Sequence, residues 1–161
     1  VLASVSDLTG KTVLDVGCGH GDLKPFLDQR YTNLNYIGID QLPEFIDEAK
    51  ARHGEDERTI FRTADVHRAA LPEVDVVFAS GLLSYQSATM SFYLEMIEGL
   101  FGAAREALAF NMLDKAQFTG HPLLVGHDPE MIVSFCKCLS RHVEYIKGYL
   151  KDDFTIFVYK T

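Results

Sequence analysis

The residues with most chemistry to offer cluster near the start of the chain, in Val13-Leu14-Asp15-Val16-Gly17-Cys18-Gly19-His20-Gly21-Asp22-Leu23. An apolar run leads through one acid into glycines at alternate positions, 17, 19 and 21. Glycine lets a backbone reach unusual angles and approach a ligand closely. A dinucleotide site sets its third glycine one residue later, as G-x-G-x-x-G, which brings a helix N-terminus up to a pyrophosphate. The tighter spacing here suits a ligand that lays an amino acid group across the loop. Asp15 sits where it can orient the loop or accept from an ammonium; a generic tight turn is the plainer alternative. Asp40 closes Ile37-Gly38-Ile39-Asp40, and its two carboxylate oxygens match the paired hydroxyls of a ribose. Gln41 and Leu42 follow and would flank the ribose and its base, with a core contact as the alternative for Leu42. In Ala64-Asp65-Val66 the acid can accept from an adenine amino group and the Val66 N–H can serve a ring nitrogen. The other reading of Asp65 is the N-cap of a helix beginning at Val66.

These groups need strand ends to hold them. Thr12–Cys18 reads as a buried strand, and a helix follows, capped by Asp22, with Pro25 in its first turn and Leu23, Phe26 and Leu27 on one face. Tyr36–Asp40 is a second strand. Pro43 opens the next helix, Phe45, Ile46 and Ala49 form its apolar stripe, and Gly54 ends it. Thr59–Ala64 is a third strand. Val74–Ala79, apolar almost throughout, is a fourth, of the kind covered on both faces. It runs out into Ser80-Gly81-Leu82-Leu83-Ser84-Tyr85, where Tyr85 either lines a pocket or packs. Helical periodicity covers Ala88–Ala104, a strand covers Glu106–Met112, and Asp128-Pro129 caps a helix running to about Leu139. His142–Leu150 and Phe154–Tyr159 are strands joined only by Lys151-Asp152-Asp153, a link too short for a parallel crossover, so they pair antiparallel. The alternation predicts a single α/β domain with a mostly parallel sheet and helices on both faces.

Followed by Asp40, the Asp15–Gly21 stretch resembles motif I of the class I S-adenosylmethionine-dependent methyltransferases. The likeness continues through Ala109-Phe110-Asn111-Met112-Leu113, His127-Asp128-Pro129, and Tyr149-Leu150 with Asp153-Phe154-Thr155-Ile156-Phe157, which together resemble a set of uncharacterised bacterial members. It implies a Rossmann-like fold with a seven-stranded sheet of order 3-2-1-4-5-7-6, the last strand inserted antiparallel. It implies S-adenosyl-L-methionine as methyl donor and S-adenosyl-L-homocysteine as product. The residues it assigns to that cofactor are Asp15, Gly17, Cys18, Gly19, Gly21, Asp40, Gln41, Leu42, Asp65, Val66 and Ser80. The Asn/Asp-Pro-Pro-Tyr motif of many base and amide N-methyltransferases is absent after the fourth strand, which favours a small-molecule acceptor over a nucleobase. Family members carry a helical segment ahead of the first strand. Residues 1–11 alone precede it here, so the expectation is one domain over 1–161 with a short or missing N-terminal cover.

No catalytic base stands out. His20, His67, His121 and His127 qualify by type, since histidine titrates near neutrality. His127, just before a helix cap, suits a structural role, and His53 and His142 read as surface residues. Cys136 and Cys138 are two apart in a helix and point in different directions, so they make a poor metal pair, and no metal is expected. Three cysteines argue against a disulfide framework and for a reducing, cytoplasmic setting. A net charge of −8 disfavours a broad nucleic-acid surface, and no apolar run approaches the roughly 20 residues of a membrane span. The competing functions are a non-catalytic S-adenosylmethionine-binding or scaffold protein, an aminopropyl transferase using the decarboxylated cofactor, and a nicotinamide oxidoreductase, the last disfavoured by the glycine spacing.

Overall fold

The computed structural model describes residues 1–87 and 89–161. Among the described residues eight strands and four α-helices follow in the order β1 (Thr12–Val16), α1 (Leu23–Asp28), β2 (Asn35–Asp40), α2 (Pro43–His53), β3 (Thr59–Thr63), β4 (Val74–Ala79), α3 (Met90–Ala103), β5 (Ala104–Asp114), β6 (Gly126–His127), α4 (Pro129–Leu139), β7 (Val143–Lys147) and β8 (Asp153–Tyr159). The strand order is β3-β2-β1-β4-β5-β8-β7, with β6 attached to β5. Setting aside the two-residue β6, this is the expected order. β1 to β5 are parallel, and β8 runs antiparallel to both β5 and β7. The carboxyl ends of β1 to β5 and of β7 therefore share one edge, where ligands bind in open α/β sheets.

The sheet separates two apolar clusters. One joins β4, β5 and β8 to α3 and α4, with Ile97, Leu100, Ile132 and Cys136 filling it. The other packs Leu27 of α1 and Ile46 and Ala49 of α2 against Val13, Tyr36 and Val76. β4 is buried along nearly all of its length, as its apolar run requires. α3 buries Tyr93, Met96, Ile97, Leu100 and Phe101, the helical spacing read from the sequence. Ala88, where that helix was expected to begin, lies outside the described residues. Asp128 caps α4 by accepting from the N–H groups of Glu130 (2.9 Å) and Met131 (3.5 Å), with Pro129 at the first helical position.

Several local expectations are corrected. β1 stops at Val16 because Gly17 turns the chain at φ 72°. Asp22 stands at the start of α1 but makes no side-chain cap; its own backbone is helical and its carboxylate lies 3.4 Å from Arg52. Phe26 is exposed, its ring under the Arg30 guanidinium at 3.9 Å. The inward place on α1 goes to Lys24, buried and paired with Asp28 and, at 2.9 Å, with Asp56. Val66 opens a single turn and not a helix. β5 outruns the expected strand at both ends, and β6 takes up β4's side of it beyond the last β4 pair, Ala79 with Phe110. Among the described residues no helix is long and apolar enough to cross a membrane.

Candidate functional site

The carboxyl edge is assembled around Asp40. This carboxylate, nearly buried at the end of β2, accepts the Gly19 N–H through Oδ2 at 3.0 Å and the Leu42 N–H through Oδ1 at 2.9 Å. It thus ties the glycine loop after β1 to the start of α2. A carboxylate has about four lone-pair directions, so each oxygen keeps capacity for a further donor. Backbone bonds from Gly17 and Cys18 to the Ile39 carbonyl, at 2.8 and 3.1 Å, complete the seam.

Two glycines show why the loop needs this composition. Gly19 has φ 53°, where an L side chain is strained, and a Cβ built there would meet no atom within 4 Å, so this face of the loop is open. Gly38 lies behind the loop in β2, where a Cβ would come within 2.7 Å of the Phe61 ring and 2.9 Å of the Cys18 sulfur. Cys18 is buried, and burial pushes its thiol far above the ordinary range, so it acts as packing and not as a nucleophile.

Asp15 lies below the loop, 2% exposed. Its Oδ2 accepts the Tyr36 hydroxyl at 2.5 Å, while its Oδ1 is buried with no partner among the described residues. Burial raises its pKa to about 6, against the Tyr36 hydrogen bond and with help from the negative charge of Asp40. Tyr36 is itself held protonated by burial and by the Asp15 charge. Two low-exposure carboxylates beside the glycine loop, one with an orphaned oxygen, give this end of the sheet a potential that favours positive charge.

The other expected residues sit around this centre. Gln41 and Leu42 are exposed beside Asp40. Asp65 follows Asp40 across the ladder, since the Ala64 N–H donates to the Asp40 carbonyl at 2.9 Å. Its Oδ1 accepts the His67 N–H at 3.1 Å, so it does cap the single turn that begins at Val66, which is half-buried. Ser80 is exposed at the end of β4. Past it, Leu82 leans on the glycine loop: a Cβ on Gly17 would lie 3.0 Å from the Leu82 Cδ1.

The loop 81–87 is fastened by side chains from elsewhere and by its own Ser84. Asn111 accepts the Gly81 N–H (2.8 Å), His127 Nε2 meets the Leu83 carbonyl (3.0 Å), and Ser84 Oγ accepts the Leu113 N–H (3.1 Å). The Tyr93 hydroxyl donates to the Tyr85 carbonyl at 2.8 Å and accepts the Ser87 N–H at 2.7 Å. Tyr85 itself is 59% exposed on this edge. His127 is buried, and burial lowers its pKa, so it stays neutral and structural. His20, half-buried in the glycine loop, rests on the Phe45 ring at 4.6 Å. His67 lies tilted against Phe92 at 4.8 Å, and His142 stacks on Tyr159 at 4.2 Å. His53 is half-buried against Phe61, not a free surface residue. Sequence reasoning missed Tyr36, Tyr93, Asn111 and Asp153 as site-forming residues. Strand alternation would place Tyr36 inside, but nothing local marks its bond to Asp15.

Comparison with known proteins identifies the family and the fold. A family model described as a methyltransferase domain matches residues 13–100, from the first residues of β1 into α3. Trans-aconitate 2-methyltransferase of Rhodopseudomonas palustris is 29% identical over 125 residues, covering 77% of this chain and 47% of that protein. The chain thus spans about half the length of that relative. A Mycobacterium tuberculosis protein named, by inference, a methyltransferase is 29% identical over 160 residues, covering 92% of this chain and 93% of its own. Among solved structures, magnesium protoporphyrin IX methyltransferase of Synechocystis with bound S-adenosylhomocysteine superposes with a TM-score of 0.78 at 18% identity, over 99% of this chain and 78% of that one. At that identity the superposition speaks for the fold alone.

Proposed function

The chain belongs to the class I methyltransferase domain family, and from that premise we propose that it binds S-adenosylmethionine in the cleft around Asp40 and transfers the methyl group to a small-molecule acceptor. The observation that carries the reading is the Asp40 carboxylate, bonded at once to Gly19 N–H and Leu42 N–H with an open loop in front of it. In this reading the remaining lone pairs of Asp40 take the two ribose hydroxyls. Asp15 Oδ1, orphaned and buried, accepts from the ammonium, directly or through water. Leu42 and Val66 flank the adenine, the Asp65 carboxylate and Val66 N–H read its edge, and Gln41 borders the ribose. Gly17, Cys18, Gly21 and Ser80 form the wall along the methionine part.

When bound, the sulfonium supplies a methyl group already activated by positive charge. The work left to the chain is to align an acceptor with that group and keep water out, which is worth far more than any one functional group. No general base is assigned. A small-molecule acceptor is supported by the trans-aconitate enzyme among the relatives.

Calorimetric titration with S-adenosylhomocysteine and, in parallel, NAD tests the reading. Micromolar binding of the first and none of the second is expected. Binding of NAD alone, or of neither compound, would defeat it.

A further inference from the structure

β5 runs past the end of β4, and half-buried Asn111 lies beside the turn that leaves β4. Its Oδ1 accepts the backbone N–H of Gly81 at 2.8 Å. Its Nδ2 donates to both Asp153 oxygens, at 3.1 and 2.9 Å. Asp153 Oδ2 also accepts the Tyr149 hydroxyl at 2.8 Å, and that hydroxyl meets Thr155 Oγ1 at 2.7 Å. Thr155 is buried and faces Asn111 across the β5–β8 ladder. A continuous chain of hydrogen bonds therefore runs from the β7–β8 hairpin to the turn after β4.

The chemistry gives this chain a direction. Gly81 N–H is a donor and needs the amide oxygen; the Asp153 carboxylate only accepts and needs the amide nitrogen. Together they admit a single orientation of the Asn111 amide. Without Asp153 the amide is free to turn its NH2 toward Gly81, donor against donor. Gly81 sits in a left-handed turn, φ 73°, between Ser80 on the cofactor edge and Leu82 against the glycine loop. Fixing its N–H fixes both neighbours.

We propose that Asp153 and Tyr149 are positioning residues for methyl transfer: acting through Asn111, they hold Gly81, and with it Ser80 and Leu82, in place beside the bound donor. This rests on the reading of the cleft as the methyl-donor site. It assigns a role to the C-terminal hairpin, which contributes nothing to the expected cofactor set.

The test uses Asp153→Ala, Asp153→Asn, Asn111→Ala and Tyr149→Phe in the full chain. Gly81 amide exchange is followed by NMR, with the Leu108 amide in mid-β5 as internal reference, and S-adenosylhomocysteine affinity is measured on the same samples. Asp153→Ala and Asn111→Ala are expected to speed Gly81 exchange by about tenfold or more while leaving Leu108 unchanged, and to weaken the ligand by about three- to tenfold. Asp153→Asn keeps an acceptor for Asn111 and should stay within about twofold of the parent, with Tyr149→Phe between the two. Unaltered Gly81 exchange in both alanine variants overturns the proposal. So does equal acceleration at Gly81 and Leu108, which would report only general loss of stability. Should Asp153→Ala fail to fold, Tyr149→Phe, which removes one oxygen, carries the same comparison. If the parent chain does not bind S-adenosylhomocysteine, the donor-site reading falls, while Gly81 exchange still decides the relay.

Discussion

The loop after β1 and the loop after β4 end on the same edge of one sheet but are held by opposite means. The first is held from nearby: a carboxylate at the end of the adjacent strand takes its backbone N–H, and glycines keep its face clear. The second, apart from the nearby Tyr93 hydroxyl, is held from farther along the chain. Asn111 lies 30 residues from Gly81, His127 lies 44 from Leu83, and Leu113 lies 29 from Ser84. A site for an invariant ligand can be written into a short motif. A site whose ligand differs between proteins of one fold is framed by whichever side chains the later strands present. The comparison predicts that damage to the first loop abolishes cofactor binding with little change in the fold, and that damage to the second costs mainly stability, with a smaller loss of affinity where it reaches Gly81.

The largest effect should come from Gly19→Val. A β-branched residue at φ 53° is strained and would project into the open cleft, so S-adenosylhomocysteine binding should disappear from calorimetry while the far-ultraviolet circular dichroism stays that of the parent. Normal affinity would mean that the open face of the loop is not the cofactor side. Asp40→Ala comes next. On the proposed reading it removes a charged acceptor from two ribose hydroxyls, each such bond worth roughly 1.5–3 kcal/mol, so affinity should fall about 100-fold or more. An unchanged dissociation constant in a folded variant would remove Asp40 from the site.

Asp15 sharpens the comparison through stability. Its folded pKa is raised, to about 6 from 3.8, so the folded state takes up a proton before the unfolded chain does. The parent protein therefore gains stability from this group as pH falls from above 6 toward 4, by at most about 3 kcal/mol, and lacks that gain at neutral pH. Neutral His127, its pKa lowered, works in the opposite sense as pH falls below its unfolded value, so the effect is isolated by difference. Asp15→Asn should melt above the parent without ligand at pH 7.5, and the gap should close between pH 7 and 4.5. A gap independent of pH would show that Asp15 ionises normally. The same variant should bind S-adenosylhomocysteine more weakly, the mark of a buried charge retained for a ligand.

The smallest effect is expected on the other loop. Tyr93→Phe deletes the hydroxyl that bridges the Tyr85 carbonyl and the Ser87 N–H, and should lower stability by about 1 kcal/mol in urea melts. S-adenosylhomocysteine affinity should stay within about twofold, because no cofactor residue leans on that oxygen. A large affinity loss would mean that the two loops are not independently held.

The same contrast explains what could be read from the residues. The strand–helix alternation, the glycine loop and Asp40 are local patterns; the residues alone give the antiparallel terminal pair, and the sheet order comes from the family resemblance that the glycine loop and Asp40 carry. Asp22 looked like a cap because an acid before an apolar turn usually is one, but its backbone is already helical and Arg52 draws its carboxylate away. Phe26 looked buried by helical spacing; the buried position went to Lys24 because Asp56, on the loop after α2, supplies a partner that spacing cannot foresee. The expected helix after Asp65 shrank to one turn, although the cap bond to His67 formed. Asn111 and Asp153 were visible only as strand residues, since their meaning depends on a pairing 42 residues long.

The measurement that tests the central claim most directly is an NMR titration of the labelled chain with S-adenosylhomocysteine, following backbone amides. The account predicts that the largest shifts fall on Gly17, Gly19 and Gly21, on Gln41 and Leu42, on Val66 and on Ser80, with the β3 face and α4 unmoved. Absence of shifts, or shifts confined to the groove between His67 and Gly102 on the flank of α3, would contradict it.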